Sequence, residues 1–128
     1  MRHSWTAGAA LAIALAATGC SASGGSSAPK AVPMSLEQLA KKTGCSVQVQ
    51  TNATELRQGS CQTKIGRYVV LTFASDQGSA AWLTDARDYG GTYLIGSRWI
   101  IVGTQEQLAG FQGKIGGVIQ AGAVHDHS

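Results

Sequence analysis

The feature that most restricts this chain is its opening. Arg2 and His3 give a short basic start, an apolar run from Ala7 to Ala17 follows, and the small residues Thr18 and Gly19 close it. A charged start, a short apolar stretch and small residues before a cut are the layout of a secretory leader. At about a dozen residues the run is too short to cross the roughly 30 Å hydrocarbon layer, which takes about 20 in a helix. Residues 1–19 are therefore expected to leave on export. Residues 20–33 (CSASGGSSAPKAVP) bury too little apolar surface to offset their ordering entropy and read as a flexible tether. The final AGAVHDHS, residues 121–128, reads as a loose tail. What remains, residues 34–120, is about 85 to 90 residues, enough for one small domain with a single core.

The residues at the expected cut, Ala17-Thr18-Gly19-Cys20, resemble the lipobox of bacterial lipoproteins. The resemblance implies that Cys20 is diacylated on sulfur, becomes the first residue of the mature chain and tethers it to the extracytoplasmic side of the cell membrane. Two acyl chains, at about 0.8 kcal/mol per buried methylene, suffice for a stable anchor where one does not. The leader is also similar to those of small lipoproteins from bacteria with Ala- and Gly-rich proteins, the actinobacteria among them. No family resemblance extends into the folded part.

With Cys20 assigned to lipid, Cys45 and Cys61 remain as an even set in an oxidising compartment, where a disulfide is expected. If the two face each other across an antiparallel hairpin, Val47 opposes Gly59, Thr51 opposes Glu55, and the turn falls on Asn52-Ala53-Thr54. Asn tolerates the left-handed conformation that such a turn needs. A Cys-x-x-Cys redox spacing is absent.

Local patterns divide the domain into elements. Ser35 with Gln38 forms a capping box ahead of Leu36, Leu39 and Ala40, and Gly44 ends that helix after Lys41 and Lys42. Ser46 to Gln50 alternates as a half-buried strand, Cys61 to Lys64 is its expected partner, and Arg67 to Phe73 is the strongest strand in the chain. Ser75 or Asp76 caps a second helix with Trp82, Ala86 and Tyr89 on one face. Thr92 to Ile95 and Arg98 to Val102 form a hairpin turned at Gly96-Ser97. Thr104 with Gln107 caps a last helix lined by Leu108, Phe111 and Ile115, which Gly110, Gly113, Gly116 and Gly117 weaken. The order αβββαββα predicts an α+β two-layer sandwich, with an antiparallel or mixed sheet of about five strands and helices on one face.

Catalytic groups are scarce. His3 leaves with the leader, and His125 and His127 lie in the tail, so the domain has no histidine to act as a base near neutral pH. Glu55, Asp76, Asp85, Asp88 and Glu106 are spread over caps, a turn and a helix flank. Asp85 and Asp88 are neighbours at i, i+3, a pair that more often marks a solvated face than a hydrolytic site. His125-Asp126-His127 offers metal-ligand chemistry without a rigid frame, so neither a metal nor a cofactor is expected. Once Arg2 is removed, nine Lys and Arg stand against seven Asp and Glu without clustering, which excludes a nucleic-acid surface.

The strands carry more apolar residues than one covered face needs. Val69, Leu71 and Phe73 alternate with Tyr68, Val70 and Thr72, while Leu94, Trp99 and Ile101 alternate with Tyr93, Ile95, Ile100 and Val102. With helices on one face only, Tyr68, Val70, Tyr93, Ile95 and Ile100 would form an exposed interaction face for a protein, an envelope component or a second copy of the chain. With cover on both faces, the same residues are core. The sequence thus points to a membrane-anchored envelope lipoprotein with a non-catalytic binding domain. Two other readings stay open: an envelope-polymer hydrolase using acidic residues, and a small-ligand or metal carrier.

Overall fold

The computed structural model of the protein describes residues 32–123. The leader, Cys20 and the tail histidines lie outside the described residues. The first element, α1 (Leu36–Thr43), starts where the capping box places it. Ser35 Oγ accepts from the Gln38 amide at 3.1 Å, and Gln38 Oε1 accepts from the Ser35 amide at 2.9 Å. Gly44, at φ +87°, ends the helix in the left-handed conformation. Leu36, Leu39, Ala40 and Thr43 form its buried face.

Among the described residues six strands and two more helices follow: β1 (Gln48–Asn52), β2 (Leu56–Thr63), β3 (Gly66–Phe73), α2 (Asp76–Arg87), β4 (Thr92–Ile95), β5 (Trp99–Val102), α3 (Gln105–Ile115) and β6 (Val118–Ala121). The strands form one antiparallel sheet in the order β1-β2-β3-β5-β4-β6. This is the α+β architecture and element order read from the sequence, with one strand added at the end. Gly116 and Gly117, at φ +77° and +99°, reverse the chain after α3 so that β6 pairs with β4. Side chains are strained at such φ values, so these two glycines end the helix and start the return. The helix itself runs unbroken through Gly110 and Gly113, both on its exposed side.

The helices do not share a face. On one side, α1 and α3 pack over Tyr68, Val70, Leu94, Trp99 and Ile101. On the other, α2 lays Trp82, Leu83 and Ala86 over Leu71, Phe73, Tyr93 and Ile100. The expectation of an open second face is therefore corrected. The surplus of apolar residues in β3, β4 and β5 is consumed by covering both sides.

The bridge between Cys45 and Cys61 is present, with Cα atoms 5.6 Å apart. It ties the segment after α1 to β2 and is packed into the larger core. The expected hairpin register is shifted, however. Gln48 pairs with Ser60 and Val49 with Gly59, then a bulge at Gln50 sets Thr51 against Gln58 and Asn52 against Arg57. The turn consequently falls on Thr54-Glu55, closed by the Ala53 amide bonding the Leu56 carbonyl at 3.0 Å. Cys45 precedes β1 rather than lying in it, so equal spacing from the two cysteines does not carry into the ladder. The β4–β5 turn is displaced by one residue in the same way. Gly96 N–H bonds Trp99 C=O at 2.9 Å, leaving Ser97-Arg98 as the central pair.

An ion pair fastens α1 to the sheet. Arg57 donates from Nη1 and Nη2 to the two oxygens of Glu37 at 2.8 and 2.7 Å, and from Nε to Asn52 Oδ1 at 2.8 Å. The Arg57 hydrogen bonds hold the Glu37 carboxyl down to about 2, against an ordinary value of 4.5. A depressed folded pKa contributes stability that is present above 4.5 and fades as pH falls toward 2. Because the Glu37 side chain is 57% exposed, its share is at most about 1 kcal/mol. Glu37→Gln should therefore unfold at lower urea than the wild type at pH 6, with the gap closing near pH 2. An unchanged gap across that range would show that the pair contributes nothing through charge.

Candidate functional site

The residues proposed for an open face are placed in two separate cores. Tyr68 is 1% exposed and Val70 0%, both under α1 and α3. Tyr93 is 4% exposed and Ile100 0%, and Ile95 packs beside them under α2. The register explains the split: Val70 lies opposite Ile101, and Leu71 opposite Ile100. Tyr68 and Val70 thus share a side with Ile101, away from Ile100. The tyrosines act as core hydrogen bonders. Tyr68 Oη donates to Thr43 Oγ1 at 2.8 Å, while Tyr93 Oη bonds the carbonyls of Ala86 and Gly90. Burial pushes both phenols above their ordinary pKa, so each stays a donor.

A different surface is open. On the α2 side of the sheet a single helix packs over β3, β5 and β4, and the edge strand β1 stays exposed along its length. Alternation puts Gln58 and Gln62 of β2 on that side, with Gln48 of β1 opposite Ser60. Gln50 joins them, its Oε1 accepting from Gln58 Nε2 at 3.3 Å. Gln48, Gln50 and Gln62 are exposed and Gln58 is half-buried. The four glutamines form a shelf of carboxamides along this margin of the sheet, with Ser60 buried between them. A carboxamide has two donor hydrogens and two acceptor lone pairs, so the single Gln58–Gln50 bond leaves capacity on both side chains.

The wall of this shelf comes from α2. Ser75 caps the helix, its Oγ accepting from the Gly78 amide at 3.0 Å. Arg87 reaches Gln120 of β6 at 3.3 Å, which fixes that flank toward β6. Away from that flank, Trp82 and, just past the helix end, Tyr89 border Gln58 of β2 across a shared depression. Tyr89 follows the end of α2 at Arg87 and is 88% exposed. Tyr89 borders the same depression as Trp82 and Ala86, the grouping read from the sequence, but past the end of the helix it stays exposed instead of packing. Trp82 is half-buried, held by Phe73 at a ring separation of 6.0 Å and edge-on to Tyr93 at 6.1 Å. Between wall and shelf lies an open depression of about 300 Å³, lined by Gln58, Val69, Trp82, Ala86, Tyr89, Tyr93 and Val102. None of these carries a charge at neutral pH.

Depressions also lie on the other side of the sheet. One, of about 400 Å³, runs between the β2–β3 turn and α3, with Ile65, Gln107, Phe111, Glu106 and Lys114 in its lining. Its central amide is already committed: Gln107 Nε2 bonds the Ile65 carbonyl at 2.8 Å, and Oε1 receives the Thr104 amide at 2.9 Å. What is left there is an opposed pair of rim charges over an apolar floor, a poorer set for fixing a ligand.

Asp85 and Asp88 are both exposed at the end of α2, and Asp88 is the C-cap residue. Among the described residues no group of three or more His, Cys, Asp or Glu is arranged to hold a metal, and no helix is long and apolar enough to cross a membrane. Neither protein-family models, nor curated proteins, nor solved structures give a match to the chain.

Proposed function

We propose that the protein is a lipid-anchored lipoprotein of the bacterial envelope, whose folded domain is a binding module held on the extracytoplasmic side of the cell membrane. The observation that carries the anchor is the Ala17-Thr18-Gly19-Cys20 sequence after a short apolar leader. The Cys45–Cys61 bridge supports it. A disulfide suits an exported domain, and it accounts for the other two cysteines, leaving Cys20 as the one available for lipid. The entry of the chain is also suited to a tether. Trp99 Nε1 donates to the Val32 carbonyl at 2.9 Å, which holds Val32, the first described residue, at the end of the sheet where β5 starts and β3 finishes. Tyr89 stands beyond the opposite end of α2, about 18 Å along the helix axis.

The binding role rests on the carboxamide shelf and its aromatic wall, and an envelope component is its partner. Cys20→Ala should abolish labelling by radioactive palmitate and shift the protein from the membrane to the soluble or unprocessed fraction. A correctly processed Cys20→Ala chain that sediments with membranes as the wild type does would overturn the anchor.

A further inference from the structure

We propose that the cleft between the Trp82–Tyr89 flank of α2 and the glutamine shelf of β1 and β2 binds a neutral saccharide chain. The inference rests on reading the domain as an envelope binding module and names the ligand class for that surface.

Four observations converge on this chemistry. The residues lining the depression itself are uncharged, with Asp85 of α2 and Arg67 of β3 outside that lining, which disfavours an ionic ligand that would have to be desolvated there without a counter-charge. Its wall offers aromatic rings in two states, Trp82 half-buried and braced by Phe73 and Tyr93, and Tyr89 almost fully exposed. A braced ring gives a stacking surface at little entropic cost. A tyrosine is amphipathic, so an apolar ring face and a wet hydroxyl can serve one partner. Sugar rings present that combination, with apolar C–H faces and a hydroxylated rim.

The floor matches the rim. Gln58 lines the depression, and Gln50, bonded to it, and Gln48 extend the carboxamides outward over β1, each with donors and acceptors on one planar group. Vicinal hydroxyls are donors and acceptors too, so an amide can bond two of them at once. Charged side chains would supply one polarity only. The site is also open at the side, where β1 is the edge of the sheet with every residue exposed. An open-ended groove takes internal units of a polymer, whereas a closed pocket takes a single ring. A peptide strand adding to the β1 edge is the competing occupant, but it would use the backbone of β1 and leave Trp82 and Tyr89 without a role.

The test is titration of the full-length lipidated protein in phospholipid nanodiscs with two probes, maltohexaose and cellohexaose, followed by tryptophan fluorescence and calorimetry. At least one probe should bind saturably with a Kd at or below about 1 mM. Tyr89→Ala and Gln50→Ala, both exposed positions, should retain the wild-type unfolding midpoint and weaken binding about ten-fold and about three-fold, in line with the loss of a stacking ring and of one hydrogen bond. Lys114→Ala, in the depression on the other side of the sheet, should bind as the wild type does. Absence of saturable binding by both hexasaccharides up to about 10 mM would overturn the proposal, as would a Tyr89→Ala protein that binds with unchanged affinity. A photocrosslinker at position 89 on intact cells separates this failure from that of the broader reading. Capture of a protein there, with no saccharide binding, sinks the ligand class and keeps the module. No adduct and no saccharide binding would sink both, while leaving the palmitate result untouched.

Discussion

Val70→Lys and Ile100→Glu should each unfold the domain. The two residues are fully buried on opposite faces of the sheet, Val70 beneath α1 and α3, Ile100 beneath α2. A charge placed at either site has no designed partner, and burying it unpaired costs several kcal/mol. A domain of this size has about 5 to 14 kcal/mol of stability in all. The expected result is loss of the cooperative urea transition or a chain that does not accumulate. Ile100→Val, which removes one methylene, should cost only about 0.5 to 1.5 kcal/mol and keep the transition. If either Val70→Lys or Ile100→Glu unfolded at the wild-type urea midpoint, the face it lies on would have to be open after all, and the placement of α1 and α3, or of α2, would be wrong.

The contrast with an exposed interaction face shows where sequence reading ran out. Alternation within each strand was legible: Tyr68 and Val70 are on one side of β3, and Tyr93, Ile95 and Ile100 are together on the other hairpin. Which set of β3 shares a side with which set of β5 is a matter of register, and a shift of one residue exchanges the faces. Nothing local to either strand fixes that choice. Capping signals did better because they are local. Ser35 with Gln38, and Thr104 with Gln107, formed the boxes their spacing implies. The strand β6 was missed since four residues, Val118–Ala121, hold too little pattern to register as alternation.

The candidate site was half legible. The outward glutamines of Gln48 and Gln50 followed from alternation in β1. That they would join Gln58 beside a helix flank bearing Trp82 and Tyr89 depends on α2 crossing to the face that α1 and α3 leave free. That crossing is a tertiary outcome, driven by the need to bury Leu71, Phe73 and Ile100.

The second large effect concerns the bridge. The double variant Cys45→Ala, Cys61→Ala should lose about 3 kcal/mol, the loop-closure contribution expected for a separation of 16 residues. In a domain of this size that corresponds to a fall in Tm of about 12 to 24 °C. The loss should not be spread evenly. β1 is an edge strand with all five residues exposed and β2 as its only neighbour, so little apolar burial holds it in place. The bridge anchors the segment that enters it, beside Val47, which packs against the larger core. Amide exchange should therefore accelerate most in β1, while β3 and β5 at the centre of the sheet stay protected up to the global transition. Because Gln48 and Gln50 reside on β1, loosening it also scatters half of the carboxamide shelf. Reduction of the bridge should then weaken hexasaccharide binding at temperatures where the rest of the domain remains folded. A Tm within about 2 °C of the wild type in the double variant would show that the core alone fixes this corner of the fold, and binding that survives reduction would place the ligand's contacts on α2 rather than on the shelf.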